Sequence, residues 1–450
     1  MIICPNCRNQ LEKGEFCTGC GVPAGDGDYC RHCGSPFPGP NFCPACGFEV
    51  VGRPMPMVDL QSPGLTPGAV PPPHRTASHW RRWLAGCGCL PGTLLVVLLL
   101  FAAAEGDLGT LAVASLAAVI PTLFYVWFVL SLDRYEHEPL RVVAFAFGWG
   151  AVGAVLFSVF AELFFTGFAI VAAGEDAAGA WTIVVGAPVI EEAFKALALL
   201  LLFWFYRHEL DNVLDGLIYG AIIGLGFAMT ENIGYFIIAY EEDGVSGLGE
   251  LFIVRAVING FGHAMYTGVV GAAIGWSRGR YSRGPARAGV PVLGYLIGVL
   301  LHMLWNGGVL GISELQGETA TVWSVMLVEV PLFVIPPLII LYIIARRGVE
   351  TELGVMTEQL ADEVGYGVLT QEEYEEITSH EQRKVNMRAA RGRGWRTWRT
   401  QRQFYMAAGD LAYRKHHLVQ GQQQHPEDRS AILLSRGEIA RTREMLSGGG

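Results

Sequence analysis

The sequence predicts an all-α polytopic membrane protein of about eight transmembrane helices, preceded by a small cysteine-rich module and followed by a soluble helical tail. Three observations carry this. Charged residues make up only 16% of the 450, against about 25% in soluble chains, and the apolar fraction, counted with glycine and without tyrosine, is about 60% where about 45–50% is usual. The 57 glycines are close to double ordinary usage, and small residues let membrane helices approach closely. Eight of the ten cysteines lie before residue 47. A soluble enzyme, a disordered chain and a collagen are excluded. The net charge of −10, from 32 basic and 42 acidic residues, also excludes a wholly basic nucleic-acid binder.

Residues 1–50 hold the pairs Cys4/Cys7, Cys17/Cys20, Cys30/Cys33 and Cys43/Cys46, a Cys-x-x-Cys unit recurring every 13 residues. Two such pairs supply four thiolates for one tetrahedral zinc, and a segment with almost no aliphatic core needs that staple to fold. Gly21, Gly34 and Gly47 each follow a pair, where a knuckle turn wants positive φ. We therefore expect two consecutive zinc ribbons with two structural zinc sites. Disulfides or redox thiols are the alternatives, but no βαβ context surrounds the pairs and no secretory signal precedes them. The natural pairing joins 4/7 with 17/20 and 30/33 with 43/46; a crossed arrangement stays open. With three basic and five acidic side chains in residues 1–50, a protein partner or a structural role is favoured over nucleic acid.

Residues 51–79, with Pro54, Pro56, Pro63, Pro67 and Pro71 to Pro73, form an extended linker. Cys87 and Cys89, where the chain enters the membrane, suit acylation or burial as small hydrophobes. Across the transmembrane domain, 80–347, helices are expected at roughly 87–104, 108–130, 140–166, 180–205, 214–239, 250–276, 289–311 and 322–345. Alternate loops carry Arg75, Arg81 and Arg82; Arg134 and Arg141; Arg207; Arg278, Arg280, Arg283 and Arg287; and Arg346 and Arg347. The loops between, at 105–107, 167–179, 240–249 and 312–321, hold no lysine or arginine. The positive-inside rule then places both termini in the cytoplasm of a multi-pass plasma-membrane protein. A reducing compartment agrees with zinc-bound thiolates.

The tail, 348–450, separates its charges. Ten acidic and no basic residues lie between Glu350 and Glu381, and ten basic residues with one acid, Asp410, between Arg383 and Lys415. A helical hairpin pairing the two blocks is expected, with Thr370 and Glu373 as a capping box. The stretch GYGVLTQEEYEEI at 365–377 resembles the short C-terminal oligomerisation motifs of bacterial membrane proteins. Trp395, Trp398, Phe404 and Tyr405 interleave with the arginines, which suits an anionic leaflet better than RNA.

Ionisable side chains in hydrocarbon are costly and are functional candidates by default. The fourth expected helix carries Glu191, Glu192 and Lys195, the fifth Glu231 and Asn232, the sixth Arg255, Asn259 and His263, and the seventh His302 and Asn306. Counted from the extracytoplasmic ends at ~1.5 Å per residue, Glu191, Glu231, His263 and His302 all lie roughly 12–20 Å deep, so four helices can present them to one cavity. Glu191 and Lys195 are spaced to pair. Asn259 lies one turn from His263, and Asn306 one turn from His302, as orienting amides for the imidazoles. Lys195 and Arg255 are expected as counter-ions. A general base, an activated water and oxyanion donors are the ingredients of peptide hydrolysis.

The segments VIEEAFKAL at 189–197, GFAMTENIGYF at 226–236, FGHAMYTG at 261–268 and LHMLWN at 301–306 resemble the successive motifs of the PrsW family of intramembrane proteases, distantly related to CAAX-prenyl and bacteriocin-processing endopeptidases. DRYEHEP at 133–139 resembles that family's entry to the third helix. The resemblance covers roughly 110–345. It implies that Glu191 and Glu192 are the paired catalytic glutamates, completed by Glu231, His263 and His302, and that the substrates are single-pass regulatory membrane proteins such as anti-sigma factors. Two mechanisms remain open. In one, Glu231, His263 and His302 hold a catalytic zinc while Glu191 or Glu192 deprotonates its water. In the other, a glutamate activates water directly, and His263 or His302 with Asn306 stabilises the oxyanion. A transporter or proton pathway, and a non-catalytic scaffold, are the rival readings.

Overall fold

The computed structural model describes residues 2–3, 10–11, 93–105, 107–132, 138–206, 210, 212–278, 284–316, 322–419 and 426–447. All eight cysteines expected to bind zinc, the linker, and Cys87 and Cys89 lie outside the described residues. Two units are distinguished, Thr76–Thr351 and Met1–Arg75 with Glu352–Gly450.

Among its described residues the first unit is built of helices joined by short turns, with no strand. α1 (Thr93–Ala103) is followed by α2 (Leu108–Leu130), whose N-terminus Asp107 caps by accepting from the backbone N–H of Gly109 and Thr110. Hydrogen bonds, first from the Thr110 hydroxyl, hold the Asp107 carboxyl below its usual range. The cap is therefore complete above the ordinary carboxylate range and is lost as the pH falls below that range to the lowered value of the folded state. α3 (Leu140–Ala173), α4 (Glu175–Trp181) and α5 (Ala187–Phe205) follow. Then come α6 (Val213–Phe252), α7 (Gly262–Arg278), α8 (Ala286–Gln316), α9 (Val322–Glu329) and α10 (Ile335–Gly365). Five described stretches are long and apolar enough to cross a membrane: Leu108–Leu130, Leu140–Ala173, Val213–Arg278, Ala286–Leu315 and Val322–Gly365.

Two of the expected loops, 167–179 and 240–249, are not loops. Helix continues through their polar residues and breaks only at Gly174 (φ 86°) and Gly244 (φ 62°). Apolar runs mark what lipid can bury; helix itself ends where the backbone needs a conformation that only glycine adopts cheaply. Both glycines reverse the chain. Thr166 and Thr182 face each other across Gly174, hydroxyl to hydroxyl at 3.1 Å. Across Gly244, a Cβ on Gly224, Gly220 or Gly216 would meet the backbone oxygen of His263, Thr267 or Gly271. These partners step along α6 and α7 in opposite senses, so the long Val213–Arg278 stretch is an antiparallel hairpin with backbones in contact. Gly174→Ala is expected to cost about 1–3 kcal/mol, the strain of a side chain in that backbone region, and a lowered Tm would register it.

Four π-helical turns interrupt this unit, at Trp149–Ala154, Thr182–Gly186, Ile253–Ile258 and Val330–Val334. A π turn disturbs the regular carbonyl pairing, and each of the first three accepts a donor from another helix. Thr230 donates to Ala151 O at 2.8 Å, Asn306 Nδ2 to Ile183 O at 2.9 Å and the Tyr125 hydroxyl to Ala256 O at 2.9 Å. Tyr125→Phe is expected to lose about 1 kcal/mol, one net hydrogen bond, read as a small drop in Tm with the helical spectrum unchanged.

In the second unit, strands β1 (Ile2–Ile3) and β2 (Gln10–Leu11) pair antiparallel, Ile2 opposite Leu11. The tail contributes Glu352 to Gly365 of α10, then α11 (Gln371–Thr378), α12 (His380–Gly392), α13 (Trp395–Val419) and α14 (Pro426–Ser447). Thr370 and Glu373 form the expected capping box. The acidic block is only partly paired with the basic block. Lys415 reaches Asp362 and Glu363, and Gln401 and Tyr405 donate to Glu376. The other partners come from α14: Arg436 grips the buried Glu363 with two bonds at 2.8–2.9 Å, and Arg443 grips Glu373. Arg388, Arg391, Arg393, Arg396 and Arg399 are exposed.

Candidate active site

α5 carries Glu191, Glu192 and Lys195, whose spacing puts both carboxylates within reach of the lysine. His263 and Thr267 lie one turn apart on α7, and His302 lies on α8. One donor atom from each of Glu191, Glu192, His263 and His302 lies within 4.8 Å of the others, and all four side chains are buried. The α6–α7 backbone contact sets His263 against α5. Trp149, in the first π turn, donates to Phe194 O at 3.0 Å and fixes α5 from the other side.

Lys195 sits in the middle of the cluster, fully buried. Its Nζ is 3.0 Å from Glu191 Oε2, 2.9 Å from Glu192 Oε1 and 2.9 Å from His263 Nδ1. An ammonium has three protons and no lone pair, so His263 Nδ1 is the acceptor and the imidazole proton sits on Nε2. That edge faces Glu231, whose Oε2 is 2.9 Å away and also 2.8 Å from Arg255 Nη2. Arg255 in turn donates to Asn232 at 2.8 Å and lies over the Tyr235 ring.

Glu192 is the most constrained carboxylate. It accepts from Lys195 and, at 2.8 Å, from the Thr267 hydroxyl. His302 stacks on Tyr266 at 4.9 Å and 17° and meets the His263 ring edge-on at 4.9 Å. Its Nδ1 approaches Glu192 Oε1 to 3.4 Å without hydrogen-bond alignment, which leaves a buried nitrogen with no hydrogen-bond partner among the described residues.

Glu191, Glu192, His263 and His302 thus converge as their common depth predicts. Three expectations change. Glu231 lies outside the group of converging donors: its Oε2 is beside His263 Nε2 and Arg255 Nη2, on the imidazole edge opposite the one that faces Lys195. Asn306 clamps the second π turn instead of orienting His302. Asn259 accepts from the Tyr266 hydroxyl at 3.3 Å, and the Nε2 edge of His263 lies against Glu231 in an ion-pair contact without hydrogen-bond alignment. Two carboxylates and two imidazoles, one with an unengaged buried nitrogen, are the donors that divalent transition metals take. The donor set therefore fits a metal, and Lys195 is the cation already among those donors.

Thr267, Tyr266 and Phe227, whose ring lies 3.8 Å from Lys195 Nζ, complete the surroundings. Thr267 lies one helical turn after His263, which was a usable signal. Tyr266 and Phe227 read as ordinary core aromatics and carried none.

The family model described as PrsW family intramembrane metalloprotease matches residues 138–336, which hold every residue of this cluster. A model described as a phage uncharacterised protein matches 352–381. The Protease PrsW of Geobacillus kaustophilus is 31% identical over 160 residues, 35% of this chain and 64% of that protein, just short of two thirds of its length. The Protease PrsW of Clostridioides difficile is 30% identical over 204 residues, 42% of this chain and 76% of that protein. The Protease PrsW of Bacillus subtilis is 29% identical over 188 residues, 41% of this chain and 78% of that protein. No solved structure matches the chain. Since the likeness to the Clostridioides difficile protein runs through most of that protein and the matched segment contains the buried glutamates and histidines, the chain belongs to the PrsW family of intramembrane metalloproteases.

Proposed function

We propose that this chain is an intramembrane endopeptidase that hydrolyses peptide bonds of membrane-embedded or juxtamembrane proteins. One observation carries the reading: two glutamates and two histidines, each expensive in hydrocarbon, meet within 4.8 Å. Glu192 is held by Lys195 and Thr267, whereas among the described residues Glu191 has only Lys195 as a hydrogen-bond partner. We therefore assign Glu191 as the general base that takes the proton of the attacking water. Glu192 anchors the site, and His302, with its unengaged nitrogen, stabilises the oxyanion. Glu231 faces the Nε2 edge of His263, where its charge favours the tautomer with the proton on that nitrogen, as carboxylates commonly do for functional imidazoles. In a metal-assisted form, Glu192, His263 and His302 would hold a divalent ion that polarises the scissile carbonyl and acidifies water, with Glu191 kept as the base and His302 serving as a ligand.

In this reading the chain crosses the plasma membrane eight times. α1, α2, α3, the α4–α5 pair, the two arms of the Gly244 hairpin, α8 and the α9–α10 pair make the crossings. The alternation of arginine-bearing loops supports it, with both termini cytoplasmic and the site nearer the extracytoplasmic face. The substrates are single-pass regulatory proteins, anti-sigma factors among them, in keeping with the family resemblance. The chain is tested in proteoliposomes with a single-pass reporter protein. Wild type should release the cleaved fragment and Glu191→Ala should not; equal cleavage by both would sink the reading.

At the N-terminus we propose two zinc ribbons held by Cys4, Cys7, Cys17, Cys20, Cys30, Cys33, Cys43 and Cys46, their surface open to a protein partner. The pairing of Ile2–Ile3 with Gln10–Leu11 supports this, since Cys4 and Cys7 fall between the two strands in the chain. Cys17→Ser should lower the bound zinc by about one ion per chain, as expected of a four-thiolate site, measured by elemental analysis.

A further inference from the structure

The geometry points to Lys195 as a tethered competitor for the metal: its ammonium occupies the donor set that a divalent ion would use, and loading requires its withdrawal. The inference rests on the metal-assisted form of the proposed function. Three of the four residues whose donor atoms converge already give an atom to Lys195 Nζ at 2.9–3.0 Å. The four donor atoms span at most 4.8 Å, while metal bonds to nitrogen and oxygen run about 2.0–2.2 Å. An ion on those donors would take the place of the ammonium, and a second positive charge beside it would meet strong repulsion in a low-dielectric interior. The lysine cannot share His263 either, because Nδ1 has a single lone pair and the other ring nitrogen is turned to Glu231.

The ammonium also lies against an aromatic face that can go on holding it as it shifts off the carboxylates. The Phe227 ring centroid lies 3.8 Å from Nζ, and a cation over an aromatic face keeps favourable electrostatics after its carboxylates are lost. Lys195 also explains how the metal-free site stays assembled: without a cation, Glu191 and Glu192 would be two adjacent buried charges with no counter-charge on their helix. One side chain thus preserves the empty cage and sets the affinity for the metal.

The test uses the full chain in nanodiscs, with cobalt(II) alone as probe. Affinity is measured by competition with a chelator, and the site's share is taken as the difference between each protein and the same protein carrying His302→Ala, so that metal on the cysteines cancels. Lys195→Met and Lys195→Gln should each bind cobalt at least ten-fold more tightly than wild type, while Lys195→Arg, still cationic, should stay within three-fold of it. Lys195→Gln keeps an N–H donor for the carboxylates and covers the case where Lys195→Met fails to fold. Unchanged or weaker binding in both neutral variants would overturn the inference. If wild type binds cobalt and cleaves the reporter in that outcome, the proposed function stands and only the competitor role is lost. If no protein binds cobalt at the site, the competitor role falls, and reporter cleavage by wild type separately decides the fate of the protease reading.

Discussion

Glu191→Gln in proteoliposomes should lower the rate of reporter cleavage by about 10²–10⁴-fold, the range that a positioned general base contributes, with little change in the amount of folded protein. The substitution keeps the volume and an acceptor oxygen for Lys195, so the cage survives while the proton acceptor is lost. Glu192→Gln should behave differently. It removes a charge that the fully buried Lys195 and the Thr267 hydroxyl both use, and weakening a buried ion pair destabilises the fold as well as the site. Loss of activity with a lowered Tm is expected there, and Thr267→Val should reproduce a milder form of it. A Glu191→Gln protein that cleaves at the wild-type rate would remove Glu191 from the base role.

Gly224→Leu should have the largest effect on the fold. A Cβ at Gly224 would stand 2.1 Å from the backbone oxygen of His263, and backbone cannot yield as a side chain can. The arms of the hairpin must part, at a cost of about 1–3 kcal/mol or more for overpacking. The same displacement carries His263 away from Lys195, and a shift of about 1 Å in a catalytic group can cost on the order of 10²-fold in rate. Gly234→Leu is the internal control. It lies on the same helix, but its Cβ would meet nothing closer than Leu100 Cδ2 at 4.0 Å. Thermal unfolding in detergent and reporter cleavage should separate the two variants. Equal behaviour would show that the α6–α7 contact does not position the site.

The site was legible in the sequence to the extent that charge stands out in hydrocarbon. Glu191, Glu192, His263 and His302 were found because each is costly in an apolar helix and each falls at a similar depth. Depth is a property of one helix and its ends, so sequence reports it. Rotation about the helix axis is a property of the neighbours, and sequence does not. That is why Glu231, at the right depth, turns out on the far edge of His263 beside Arg255, and why Asn306, one turn from His302, points to a carbonyl in a π turn. It is also why Lys195, read as a counter-ion to one glutamate, stands at the centre of three partners. The tail follows the same logic. Its charge separation was plain, but Arg436 and Arg443, beyond the basic block, join Lys415 in folding back onto Glu363 and Glu373.

By itself, the sequence determined that this is a helical membrane protein and which side chains carry the charge it keeps in its apolar helices. Composition and apolar run length are free-energy statements about transfer into lipid, and they need no partner. Only the tertiary structure decided which of those side chains touch. Contact here depends on single-glycine reversals at Gly174 and Gly244 and on backbones meeting at Gly216, Gly220 and Gly224. In lipid, with little hydrophobic drive between helices, such close packing chooses the facing surfaces.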